Sequence, residues 1–119
     1  MKKIQYIIYS AFLCSISCTS HSEDDLINPI VLNTTKYLQD VKPIIDNNCN
    51  NCHGATPSNG APMSLVTYSQ VKDAMLNRGL INRISLTQGA PGMMPSQGTR
   101  LPQTTIDLIV DWNTDGLIE

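Results

Sequence analysis

Aromatic side chains are scarce in this 119-residue chain, which has four Tyr, one Phe and one Trp. Tyr6, Tyr9 and Phe12 fall in an apolar N-terminal stretch, so Tyr37, Tyr68 and Trp112 are the aromatics left for a folded domain. Aromatics usually supply much of a small core's buried area, and a domain of this length is marginal in the surface it can bury. The shortage implies that something else fills the centre. A surplus of positive charge is also missing. Lys and Arg number 8 against 10 Asp and Glu, a net charge of -2, which excludes the clustered basic footprint of a nucleic-acid binder. No apolar run reaches the roughly 20 residues that span a bilayer as a helix. Nor is there strand-like alternation of any length, so the expected class is all-α in a single domain.

Residues 1–17 have the three parts of a secretory signal: Lys2 and Lys3, a mostly apolar stretch from Ile4 to Ile16, and small residues at Ser15 and Ser17. The competing reading is an N-terminal core helix, which the polar, uncapped sequence that follows argues against. Ser15-Ile16-Ser17-Cys18 resembles a bacterial lipobox, in which Cys18 would be lipidated and become the new N-terminus, although Ser15 stands where Leu is usual. A signal-peptidase cut after a small residue is the alternative. Thr19 to Asp25, with Glu23, Asp24 and Asp25, resembles the short acidic signal that follows the lipidated cysteine in surface lipoproteins of Bacteroidetes-type bacteria. It also reads simply as a solvated tether over 18–36. Loss of Lys2 and Lys3 with the leader leaves 6 basic and 10 acidic side chains, a net charge of -4.

Of the four cysteines, Cys14 and Cys18 belong to this leader region. Cys49 and Cys52 remain, in the string Cys49-Asn50-Asn51-Cys52-His53, which is the attachment signature of a c-type haem. Two thiols one helical turn apart can each add across one vinyl group of a single porphyrin, and the adjacent imidazole then faces the iron. Three other readings compete. A Cys49–Cys52 disulfide would close too small a loop to stabilise a fold. A thioredoxin-like redox pair needs a preceding strand and a βαβ pattern. A zinc site needs a fourth ligand, and His21 is the only other histidine.

Asp40 is placed to cap a helix running from about Val41 into the Cys49–His53 turn, with Pro43 in its first turn. Residues 54–63 read as loop, in which the carbonyl of Pro57 or Pro62 is a candidate acceptor for the second N–H of His53. Thr67 and Gln70 form a capping box for a helix from about Tyr68 to Arg78, ended by Gly79. An apolar turn through Leu80, Ile81 and Ile84 follows. The last helix runs from near Pro102 to Gly116, with Ile106, Ile109 and Val110 as its stripe and Leu108 and Trp112 beside it. The expected core is Val41, Ile44, Ile45, Leu65, Leu80, Ile84, Leu101, Ile106, Ile109 and Trp112.

Glycine and proline keep Gly89 to Gly98 in an extended loop. Such a loop, carrying a Met reached from across the pocket, suits a His/Met haem site, since thioether ligation favours ferrous iron. Met1 lies in the leader, Met63 is too close to His53 in sequence to reach the opposite face, and Met75 reads as core. Met93 and Met94 remain.

From about Tyr37 to Gly116 the chain resembles the small monohaem cytochrome c domains of bacteria. The resemblance rests on Asp40-Val41-Lys42-Pro43-Ile44 before the haem motif and Gly54 after it. Next come Leu65-Val66-Thr67-Tyr68, Arg83-Ile84, and Met94-Pro95 with Gly98 and Leu101. It closes with Ile109 to Trp112 and Gly116. It implies a cytochrome c-like fold over 37–119 around one covalently bound haem c. Cys49, Cys52, His53 and Met94 would hold the haem, with His53 and Met94 as iron ligands. A Met directly before Pro is the family's ligand, so Met94 precedes Met93 as candidate; the lack of a second Pro after Pro95 departs from the pattern.

With both axial positions filled by protein atoms, the iron has no open site for substrate. Outer-sphere electron transfer is then the natural task, and catalysis at the metal is not expected. The expectation is a one-electron carrier serving a redox partner protein outside the cytoplasm. It would be periplasmic or an outer-membrane-anchored lipoprotein, touching membrane only through an N-terminal lipid. The alternatives are a haem subunit of a larger dehydrogenase assembly, a haem sensor or enzyme with a displaceable Met, and a zinc module. The acidic balance suggests a partner with a basic docking patch. Arg83 and Arg100 are candidates to neutralise a haem propionate, against the plainer reading of solvated arginines.

Overall fold

The computed structural model describes residues 34–119. The expected leader, Cys14, Cys18 and most of the expected tether lie outside the described residues. Regular structure among the described residues is entirely helical, in agreement with the all-α expectation. A π-helical turn, Tyr37–Val41, runs directly into helix α1, Lys42–Asn48. Helix α2 spans Tyr68–Asn77, α3 Leu80–Ser85 and α4 Gln103–Thr114.

The first helical stretch starts a turn earlier than the sequence pattern suggests. Tyr37, Val41 and Ile45 recur every four residues and all are buried, so the apolar stripe begins at Tyr37. Asp40 is not the N-cap expected of it: it lies inside this earlier element, where its carboxylate accepts the Lys36 N–H at 2.8 Å. The N-terminal flank of α1 is Val41, without a side-chain cap, and Pro43 lies in the first turn of α1. Thr35 is buried and its N–H donates to the Asp115 carboxylate at 2.7 Å. The anchored chain therefore begins before Tyr37.

The expected capping box is present. Thr67 Oγ1 accepts from the Gln70 N–H at 3.3 Å, and Gln70 Oε1 accepts from the Thr67 N–H at 3.0 Å. Helix α2 then buries Val71, Ala74 and Met75 along one face. Gly79, at φ 67°, supplies the left-handed residue between α2 and α3, which a side chain would resist. In α4 the buried stripe is Ile106, Ile109 and Trp112. Val110, expected in that stripe, is half-buried, as is Leu108. Trp112 takes the third place because spacing by three keeps it on the inner face.

The expected core is buried except for Ile44, which is half-buried, and it also takes in Tyr37, Val71, Ala74, Met75 and Leu117. The π-helical turn packs on α4, α4 on α3, and α3 on α2. The three aromatics gather in one cluster, with Tyr37–Tyr68 ring centroids at 5.4 Å, Tyr37–Trp112 at 5.6 Å and Tyr68–Trp112 at 6.3 Å. Each also grips the C-terminal segment. The Tyr37 N–H and Trp112 Nε1–H both donate to the Ile118 carbonyl, at 2.9 and 2.8 Å. The Tyr68 hydroxyl donates to the Leu117 carbonyl at 2.7 Å. The two ends of the described chain are thus closed by ring packing and hydrogen bonds together. Trp112→Ala is expected to cost about 3–5 kcal/mol through the lost packing, and Thr67→Ala about 1 kcal/mol through the lost cap. Both are measured by denaturant unfolding followed by circular dichroism.

Candidate functional site

Helix α1 delivers the chain into a compact turn carrying Cys49, Cys52 and His53. The Cys49 N–H donates to the Ile45 carbonyl at 2.8 Å. The Cys49 carbonyl then accepts from Cys52 at 3.1 Å and from His53 at 2.8 Å. Gly54 is required by space. A Cβ there would stand 2.9 Å from the Asn50 carbonyl oxygen, a backbone atom that cannot yield cheaply.

His53 is buried and fixed at two points. Its carbonyl accepts the Leu65 N–H at 2.7 Å, and its Nδ1 lies 2.8 Å from the Met63 carbonyl. A carbonyl only accepts, so Nδ1 carries the proton and Nε2 keeps its lone pair. The acceptor is neither Pro57 nor Pro62 but the residue after Pro62, because the bond from Leu65 sets the register of the returning chain.

Cys49, Cys52, His53 and Met94 all line one cavity of about 970 Å³. Its apolar wall includes Ile45, Leu65, Leu80, Ile84, Leu101 and Ile109, contributed by α1, α3, α4 and the intervening loops. Tyr37, Tyr68 and Trp112 are not part of the lining. Ligand pockets typically run from about 300 to 1,000 Å³, so this one has room for a large organic group and far exceeds what a single ion requires. The charged side chains of the lining are Arg78 and Arg83, and it contains no carboxylate. Three of the chain's acidic residues, Glu23, Asp24 and Asp25, lie in the sequence ahead of the described residues. The acidic balance is therefore no guide to the mouth of the cavity.

The methionines divide clearly. Met94 is half-buried and lines the cavity, whereas Met93 is buried and is not in the lining. Met75 is core, as expected. Met63 also lines the cavity, beside the carbonyl that binds the imidazole. The loop carrying Met94 is tied to α3, for the Met94 N–H donates to the Arg83 carbonyl at 3.1 Å and Arg83 Nη1 donates to the Gly92 carbonyl at 3.2 Å. Farther along, Arg100 braces the segment from outside the lining. Its guanidinium donates to the Leu86 carbonyl at 3.0 Å, the Leu101 carbonyl at 3.3 Å and Gln103 Oε1 at 2.7 Å. Those contacts, and its place outside the lining, remove Arg100 as a candidate partner for a group in the cavity. Gln88 assists, accepting the Arg100 N–H at 2.6 Å and donating to the Gly98 carbonyl at 3.2 Å. Local sequence gives no sign of Gln88 or of its link to Arg100, because the contacts among Leu86, Gln88, Gly98 and Arg100 span 10 to 14 residues.

Cys49 and Cys52 are free thiols. Burial pushes the Cys49 thiol up to about 11. Among the described residues no three His, Cys, Asp or Glu side chains converge as a cation site; His21 lies outside them. The donor set is two half-buried thiols, an imidazole with its outer N–H satisfied, and a thioether, all on an apolar cavity.

Because the Gly54 Cβ clash is with backbone, Gly54→Ala should displace the Cys52–His53 turn and cost about 1–3 kcal/mol in chemical unfolding. Comparison of the chain with protein-family models, curated proteins and solved structures returned no match.

Proposed function

We propose that this protein is a one-electron carrier with a cytochrome c-like fold and one covalently bound c-type haem. The observation that carries the reading is the convergence of Cys49, Cys52, His53 and Met94 on a single large aliphatic cavity. When bound, the haem supplies an iron that cycles between the ferrous and ferric states. Cys49 and Cys52 would each add S–H across a vinyl group, giving two thioethers and needing no oxidant. The raised pKa of Cys49 suits a thiol that ends as a neutral thioether in an apolar wall.

His53 would hold the iron through Nε2. The Met63 carbonyl holds the opposite ring nitrogen, fixing the tautomer and raising the basicity of the ligating one. Met94 would be the other ligand, and its thioether favours the reduced state relative to a second nitrogen. With both positions taken, the protein's task is to exclude water, hold the two ligands and present an edge to a partner. The aliphatic wall serves the first purpose. The mouth bears Arg78 and Arg83 among uncharged polar residues such as Asn59, Asn77 and Gln97. A redox partner would meet a neutral to weakly basic rim, through the small, transient interface usual for such encounters. Residues 1–17 and Cys18 support a place outside the cytoplasm, with membrane contact through a lipid at Cys18.

Protein produced in an export-competent host that matures c-type cytochromes is expected to stain for haem on a denaturing gel. Colourless protein would overturn the reading. Met94→Ala should abolish the weak charge-transfer band of an iron–thioether bond, whereas Met93→Ala should leave it in place. The haem-free chain, with its cavity wall unsupported, should lose helicity by far-ultraviolet circular dichroism relative to the haem-bound protein.

A further inference from the structure

The geometry points to Arg83 as the positioning residue that holds Met94 on the iron, an inference that rests on the His/Met haem reading above. Arg83 contacts the Met loop twice. Its carbonyl accepts the Met94 N–H at 3.1 Å, and its Nη1 donates to the Gly92 carbonyl at 3.2 Å, two residues upstream. These bonds bracket Gly92 to Met94 against the C-terminal part of α3, whose Leu80 and Ile84 are buried in the core. The Met94 loop is thereby referenced to a buried helix. Arg83 itself is exposed at the cavity edge, so its guanidinium is not recruited to fill the interior.

Gly92 fits the same arrangement. It lies at φ 83°, where side chains are strained, and a Cβ there would stand 2.5 Å from Arg83 Nη1. The absence of a side chain is what lets the guanidinium close on the loop. Arg78, the other cation of the cavity lining, pairs instead with Asp73 at 2.7 Å. The two arginines therefore separate a positional effect from a general effect of positive charge at the mouth.

A thioether that leaves the iron opens a site for an exogenous ligand, and the apparent affinity for that ligand scales with the open fraction. Loss of one hydrogen bond of this kind corresponds to roughly a threefold to tenfold change in that fraction. The test uses haem-bound ferric protein titrated with cyanide, with the iron–thioether charge-transfer band recorded beforehand. Arg83→Leu is expected to bind cyanide roughly three to ten times more tightly than the unaltered protein and to show a weaker band. Unaltered cyanide affinity in Arg83→Leu would overturn the role of Arg83 while leaving the carrier reading intact. An equal gain in Arg78→Leu would assign the effect to charge at the mouth and would also overturn it. Should Arg83→Leu not retain haem, Arg83→Lys, which keeps the charge without the planar fork, carries the same comparison. If the unaltered protein lacks covalent haem or the charge-transfer band, the proposed function fails and this role fails with it.

Discussion

The hydrogen bond between His53 Nδ1 and the Met63 carbonyl, at 2.8 Å, is the contact around which the site is arranged. It decides which ring nitrogen carries a proton and leaves the other with its lone pair. With the bond from the Leu65 N–H to the His53 carbonyl at 2.7 Å, it draws a ten-residue loop back onto the imidazole. That loop brings Met63 and Leu65 into the cavity lining. Without this pinning, the Cys49–His53 turn would end in an imidazole free to rotate, and the cavity would lose part of its wall.

The fold divides its labour between two regions. One is the cluster of Tyr37, Tyr68 and Trp112, which joins the start of the helical chain to its C-terminal segment. The other is the aliphatic cavity, lined by Ile, Leu and Met side chains with the thiols and the imidazole. The aromatic scarcity noted in the sequence thus has a spatial counterpart. The three rings are used together as a clasp, and none is spent on the cavity wall. On the proposed reading, the large flat aromatic at the second centre is the porphyrin.

Loops carry most of the chemistry, while helices supply the reference frame. Helix α1 launches the Cys49–His53 turn, α3 anchors the Met94 loop through Arg83, and Arg100 braces the same loop from its far end. A loop with three glycines and two prolines between Gly89 and Gly98 could not be placed by its own backbone preferences. Its position depends on these contacts to more regular structure.

Much of the architecture was legible in local sequence because its causes are local. Spacing by three and four placed Ile106 and Ile109 of α4 in the core, and the Thr67–Gln70 box and Gly79 marked the ends of α2. Cys49, Cys52 and His53 stood out in the sequence as one motif. Tertiary structure decided what depends on partners distant in the chain. It moved the first helical turn forward to Tyr37, because that ring is buried against Tyr68 and Trp112. It gave the imidazole Met63 rather than a proline carbonyl, because Leu65 fixes where the loop returns. It turned Met94 toward the cavity and Met93 away from it, a choice that two adjacent identical residues cannot express in sequence. Arg83 and Arg100 look alike in the chain, and only folding made one a tie at the cavity edge and the other a brace outside it.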